Sequence, residues 1–193
     1  MRFAYADPPY PGCAHIYLRE NPSATEVDHA ALLQRLVAEY PDGWALSTSS
    51  AALRDVLALC PPGVRVAAWC KPFAPWRIGK NDEGKAAFAP YTWEPVIFTT
   101  QSKRSREARL GVWCRDYLLE SPPLKQRIPG EKPTRFGWWI FSLLGAGAGD
   151  EMHDLFPGSG AIGDAWSAWC GDPLMTEPLF ATTPRSSDRE GTP

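Results

Sequence analysis

Histidine is scarce in this sequence: His15, His29 and His153 are the only three, and their positions do not form a metal-ligand spacing. The five cysteines, Cys13, Cys60, Cys70, Cys114 and Cys170, are odd in number and far apart, with no Cys-x-x-Cys. A disulfide framework or a four-thiolate zinc site is therefore not expected. Long hydrophobic runs are missing too. The most apolar stretch, Gly137 to Gly149, falls short of the roughly 18 residues a membrane span needs, so no membrane partner is expected. The opening MRFAYADPPYPG has no basic-then-apolar layout, which argues against a secretory leader and for a cytoplasmic protein. What the chain does have is 193 residues, 44% of them apolar and 22% charged, with nine Trp and 20 Pro. That size and composition predict one domain over 1–180, and the Ser/Arg/Asp/Pro-rich 181–193 reads as a disordered tail.

An excess of either charge is also absent, with 20 Lys+Arg against 22 Asp+Glu and a net charge of −2. The average conceals a division. Residues 65–135 hold 14 basic and seven acidic residues, a net +7, and the remainder is net −9. A polyanionic partner is therefore not excluded, and its contacts belong in the middle of the chain.

Hydrophobic patterning predicts strands at Arg2–Ala6, Trp44–Thr48, Val64–Trp69, Trp93–Thr99 and Glu151–Phe156. Helices are expected at Asp28–Glu39, with Ala30, Leu33, Leu36 and Val37 on the inner face, and at Ala51–Leu59, Thr134–Leu144 and Ala161–Trp169. Strands alternating with helices imply an α/β sandwich around a mostly parallel sheet. In such sheets ligands sit beyond the carboxyl ends of the strands. Asp7-Pro-Pro-Tyr10, Ser47-Thr48 and Pro157-Gly-Ser-Gly160 all fall at such ends.

Two of these carry chemistry. In Asp7-Pro8-Pro9-Tyr10 the carboxylate can accept one hydrogen of an exocyclic amine and the Pro8 carbonyl the other, with the proline rings fixing the direction of that carbonyl. Two acceptors on one amine hinder its conjugation with an aromatic ring and favour a nucleophilic lone pair. Tyr10 adds a face on which a planar base can stack. The alternative is a plain polar turn. In Asp154-Leu-Phe156-Pro157-Gly158-Ser159-Gly160-Ala-Ile-Gly163 a glycine-rich turn lies between a strand and a helix, where backbone amides can approach a nucleotide-like ligand. A dinucleotide site would want an acidic residue about 20 residues further on, after a second strand. Asp172-Pro173 follows too soon for that, and a glycine turn that only packs helix on strand is the other reading.

Together, DPPY at one end and DLFPGSG at the other resemble the amino-group methyltransferases that use S-adenosyl-L-methionine (AdoMet) and act on adenine N6 or cytosine N4. The order, catalytic motif first and AdoMet loop last, is similar to their permuted arrangement and to the messenger-RNA adenosine methyltransferases. Trp69-Cys70-Lys71, Trp93-Glu94-Pro95 and Lys132-Pro133 add weaker similarities, so that the resemblance runs over roughly residues 3 to 172. It implies a Rossmann-like methyltransferase sandwich that moves a methyl group from AdoMet to adenine N6 in DNA, with no metal. Asp7, Pro8, Pro9 and Tyr10 would be catalytic. Asp154, Phe156, Pro157, Gly158, Ser159 and Gly160 would hold AdoMet, with Lys132 near its polar end and Asp172, or else Glu177, standing in for the ribose-binding acid. The opening Asp, rather than Ser, favours adenine over cytosine. RNA is the alternative acceptor, and a non-catalytic nucleic-acid-binding relative is the alternative of another class. The resemblance lacks a large recognition domain, which leaves a homodimer or a separate specificity partner open.

The middle of the chain supplies the expected substrate contacts: Lys71, Lys103, Arg104, Arg106 and Arg109, with Arg77, Lys80, Lys85, Arg115 and Trp113 around them. The stretches 75–92 and 101–130 are the candidate substrate-contacting loops. His15 and Cys13 lie near Tyr10 in sequence and are read as incidental. Trp138, Trp139, Trp166 and Trp169 are expected in the core. Ser47 to Ser50 either line the pocket or cap the helix that follows.

Overall fold

The computed structural model describes residues 1–17, 25–72, 91–101, 114–124 and 130–171. Six strands form one sheet: β1 (Arg2–Ala6), β2 (Gly43–Ser47), β3 (Arg65–Cys70), β4 (Trp93–Thr100), β5 (Tyr117–Leu119) and β6 (Glu151–Asp154). Their spatial order is β5-β3-β4-β2-β1-β6. β1 lies between β2 and β6 and is parallel to both, and β3 is parallel to β5. Only β4 runs the other way, antiparallel to β2 on one side and β3 on the other. The expected mostly parallel α/β sandwich is what the chain forms.

Among the described residues four α-helices cover the sheet: α1 (His29–Glu39), α2 (Leu53–Leu57), α3 (Thr134–Leu144) and α4 (Ala161–Gly171). Asp28 caps α1, its carboxylate accepting from the backbone N–H of Ala30 and Ala31 at 2.9 and 3.0 Å. The buried stripe of α1 is His29, Leu32, Leu33 and Leu36. This corrects the expected face, because Val37 is 44% exposed. The phase that buries Leu32 beside Leu33 removes more apolar surface from water than one that buries Ala30 and Val37. α3 has the predicted boundaries and stops at Gly145, whose φ of 69° a residue with a Cβ rarely adopts.

The alternation of side chains along the strands builds two cores. Phe3, Tyr5, Ala67, Trp69, Val96 and Phe98 pack with Phe136, Ile140 and Phe141 of α3 on one face. Ala4, Ala6, Leu46 and Ile97 pack with Leu32, Leu33, Leu36 of α1 and Val56 of α2 on the other. The four predicted tryptophans belong to the first core: Trp139 is buried, and Trp138, Trp166 and Trp169 pack against it.

Several expected boundaries shift. The second helix is five residues long rather than the predicted Ala51–Leu59, because Ser49 and the turn after it occupy its first positions; the Ser49 hydroxyl accepts from the N–H of Ala52 at 3.1 Å. The last strand stops at Asp154 instead of Phe156, where the Asp154 carboxylate takes the Phe156 N–H at 3.2 Å and turns the chain. β5 and the 3-10 turn at Ala14–Tyr17 were not foreseen. Among the described residues no helix is long and apolar enough to cross a membrane.

Candidate active site

The sheet has one edge at which five strands end and one begins. β1 and β6 are neighbours with Tyr5 opposite Asp154, so Asp7 and the glycine turn leave the sheet side by side. β2 lies on the other flank of β1, with Ala6 opposite Leu46, which brings Ser47 and Thr48 to the same edge. β3 ends there at Cys70 and hands over to Lys71. Because β4 is reversed, its first residues, Trp93, Glu94 and Pro95, arrive at this edge instead of its last. Proline inside a strand normally interrupts a ladder. Here the Pro95 carbonyl accepts from the Thr48 N–H at 3.1 Å, just past the end of β2, so the donor that proline lacks faces the side where that pairing is finishing.

Parity puts Asp7 and Glu94 on the α3 face, and Lys132, one residue before the Pro133 that caps α3, reaches both. The Lys132 ammonium lies 2.8 Å from one Asp7 carboxylate oxygen and 3.3 Å from Glu94 Oε2. Its remaining hydrogen bond goes to the Gly130 carbonyl at 3.3 Å. Lys71 pairs with the other oxygen of Glu94 and lies 4.5 Å from the centre of the Trp69 ring. The Tyr10 hydroxyl donates to Glu94 at 2.9 Å and makes a longer contact with Asp7 at 3.4 Å. The result is two carboxylates against two ammonium groups, with a phenol closing the ring. Directly beneath it, the Tyr5 hydroxyl shares a buried hydrogen bond of 2.8 Å with Ser47 Oγ.

The electrostatics follow from burial and this pairing. Burial, with the charge of Glu94 added, pushes the Asp7 carboxyl above the usual aspartate range, against the pull of Lys132. Burial would raise Glu94 as well, but Lys132 and Lys71 hold it below the ordinary glutamate value. For Lys132 burial works to lower the pKa, and the two carboxylates Asp7 and Glu94 overcome it, so the ammonium stays charged. The Asp154 carboxyl is pushed up to about 6, mainly by burial, with the nearby charge of Asp7 contributing and the Phe156 N–H opposing.

The glycine turn joins β6 to α4. Leu155 continues the β1 ladder through its N–H to the Tyr5 carbonyl at 2.9 Å, and the Gly160 N–H closes a tight turn on the Pro157 carbonyl at 2.6 Å. Gly158 and Gly160 have φ of 47° and 79°. A Cβ placed on Gly160 would meet nothing within 4 Å, so open space lies beside that backbone at the start of α4. Pro157 and Gly158 are exposed, and Ser159 and Phe156 are partly buried.

Of the residues singled out in the sequence, Asp7, Pro8, Pro9, Tyr10, Lys71 and Lys132 gather at one edge with Asp154 and the Phe156–Gly160 turn. Lys132 sits on Asp7, and Lys71 is engaged by Glu94 instead of projecting free. Lys103, Arg104, Arg106, Arg109, Asp172 and Glu177, with Arg77, Lys80, Lys85 and Trp113, lie outside the described residues, as do 181–193 and most of the stretches 75–92 and 101–130. His15 is exposed. Ser47 lines the core beneath Asp7, while Ser49 takes the capping role. The residue to which sequence reasoning gave no role is Glu94, named only within Trp93-Glu94-Pro95. Its signal was a lone acid at the start of an otherwise apolar strand, and only the reversal of β4 explains why that start faces the site.

No family model and no curated protein matches the chain. Among solved structures, the crystal structure of the M1.HpyAVI–SAM complex matches with a TM-score of 0.57 and 15% sequence identity, over 86% of this chain and 77% of that one. The likeness is one of fold. This chain therefore has a Rossmann-like α/β sandwich like that of this neighbour.

Proposed function

We propose that the protein transfers a methyl group from S-adenosylmethionine to the exocyclic N6 amine of adenine in DNA. The observation that carries this reading is the adjacency of β1 and β6, which sets Asp7-Pro8-Pro9-Tyr10 beside the glycine turn at one sheet edge. The fold neighbour was seen with SAM, which supports the same class of donor here.

The residues of the turn fit such a ligand. Open space flanks Gly160, the first N–H groups of α4 begin there, and the Asp154 carboxylate stands at the strand end. When bound, S-adenosylmethionine supplies an electrophilic methyl on a sulfonium. Asp154 and the backbone from Phe156 to Gly160 would hold it, and Asp7 and the Pro8 carbonyl would accept the two hydrogens of the target amine. That pairing turns the nitrogen lone pair out of conjugation and toward the methyl carbon. Once the methyl had passed from sulfur to nitrogen, the Asp7 carboxylate or water would take the extra proton from the amine. Lys132 keeps Asp7 oriented for this and opposes the rise that burial imposes on its carboxyl. Tyr10, anchored through its hydroxyl to Glu94, offers its ring to the base. Orientation of this kind supplies much of the rate in direct group transfer. Within a duplex the adenine must first be turned out of the stack.

The test is incorporation of labelled methyl from S-adenosylmethionine into unmethylated DNA, followed by digestion and chromatography of the modified base. The expected product is N6-methyladenine, and Asp7→Ala should lower the rate by at least about a hundredfold, in line with loss of a positioned polar group in the transition state. Equal incorporation by Asp7→Ala and wild type would reject the assignment of Asp7.

A further inference from the structure

Tyr10 opens a tight turn. The Cys13 N–H donates to the Tyr10 carbonyl at 2.8 Å, with Pro11 and Gly12 between them. Proline in the second position and a glycine with φ of 78° in the third make the pattern of a type II turn. A Cβ on Gly12 would meet nothing within 4 Å, so the backbone angle calls for glycine there, and not a shortage of space. Glu26, from the far side of the loop, clasps this turn. One of its carboxylate oxygens accepts from the Gly12 N–H at 3.1 Å and the other from the Ala14 N–H, also at 3.1 Å. Hydrogen bonds to an ionised acceptor are stronger than neutral ones. The carboxylate is presented from a fixed base: Val27 packs against the core beneath α1, and Asp28 caps that helix. Glu26 itself is exposed and belongs to neither core.

Tyr10 is thereby held at both ends. Its hydroxyl donates to Glu94 at 2.9 Å, and its backbone leads straight into the clasped turn. Pro11 narrows the choice further, because a residue before proline is confined to extended backbone. A ring fixed at its two ends keeps one direction before a base arrives. A ring left to swing has to be ordered during binding, at an entropic cost.

We propose that Glu26 is a positioning residue for methyl transfer: by clasping the turn after Tyr10 it sets the direction of the ring on which the target base stacks. The inference rests on the methyltransferase reading for the use of that ring, but the clasp can be measured without catalysis. Glu26→Gln can accept only one of the two N–H groups and turns an NH2 toward the other. Amide exchange followed by NMR should quicken at Gly12 and Ala14, and thermal melting checks that the variant folds. With labelled S-adenosylmethionine and DNA, kcat should fall roughly tenfold, as a small misplacement of a positioned group produces, while KM for S-adenosylmethionine stays unchanged. In single turnovers on a Tyr10→Ala background, the same substitution should cost nothing further, because its effect runs through the ring. Unaltered amide exchange, or full kcat in Glu26→Gln, would overturn the proposal. So would an equal loss on the Tyr10→Ala background, or a KM for S-adenosylmethionine that rises as far as kcat falls, since either marks a merely structural role. Absence of methyl transfer in wild type, with the exchange difference present, would instead reject the methyltransferase reading alone.

Discussion

Asp154 lies at the end of β6, partly buried, with a carboxyl raised to about 6 chiefly by burial. Its folded pKa therefore stands above the unfolded value, so the folded chain binds more protons than the unfolded chain between the two. The stability this group contributes is complete below the ordinary aspartate range and is lost as pH rises through about 6. Asp154→Asn, which cannot ionise, should then raise the melting temperature at about pH 8 and do so less at about pH 5. Melting curves at the two values check it; an equal shift at both would mean that the carboxylate is not strained by its surroundings. Such strain is what a strand-end acid would carry if its natural counter-charge arrives with a ligand.

At the scale of elements, the reversal of β4 matters more than any other feature. It delivers Glu94 to an edge otherwise made of strand ends, where that residue holds Lys132, Lys71 and Tyr10 together. Glu94→Gln keeps the shape and removes the charge, leaving Lys132 with Asp7 alone and Lys71 without the carboxylate it pairs with. Breaking a largely buried pair from one side commonly costs about 3 kcal/mol. Urea unfolding should show a loss of that order, and methyl transfer should fall with it, since Tyr10 and Lys132 lose their common anchor. A stability within about 0.5 kcal/mol of wild type would mean that Glu94 behaves as an ordinary surface acid.

The elements also show what could be read from sequence. α3 matched its boundaries because an apolar run preceded by Pro133 and followed by Gly145 encodes both ends locally. β1 and β2 were legible for the same reason. β5, three residues long and exposed on one face, carries no alternation strong enough to find. The phase of α1 depended on which side chains meet the sheet, a tertiary fact. Within the site, Asp7-Pro8-Pro9-Tyr10 and the glycine turn were legible because their chemistry sits in consecutive residues. Glu94 was not, because its partners lie 84, 23 and 38 positions away in the chain and its direction depends on a strand running backwards.

For the molecule as a whole, the total of −2 conceals a charge segregated along the sequence. Residues 65–135, net +7, include β3, β4 and β5, but those strands themselves carry only Arg65 and Glu94, so the excess lies in the sequence outside them. DNA affinity should accordingly fall steeply with salt, in a log–log plot with a slope of about −0.7 for each single-strand phosphate neutralised. A titration over increasing salt measures that slope, and a flat response would remove the basic residues of 65–135 from binding.

β1 is hydrogen-bonded to β6, whose residues come almost 150 positions later, and Met1 itself pairs with Asp150 at 2.9 Å. During synthesis Asp7 and Tyr10 emerge before β6, and one flank of their strand stays open until β6 follows. The last-made part of the sheet is also the part that carries the glycine turn. A chain that stops before β6 lacks the glycine turn and leaves one flank of β1 unpaired. Such an edge invites pairing with other chains. Completion of the sheet therefore waits on β6, and chains cut short of it should be prone to aggregate.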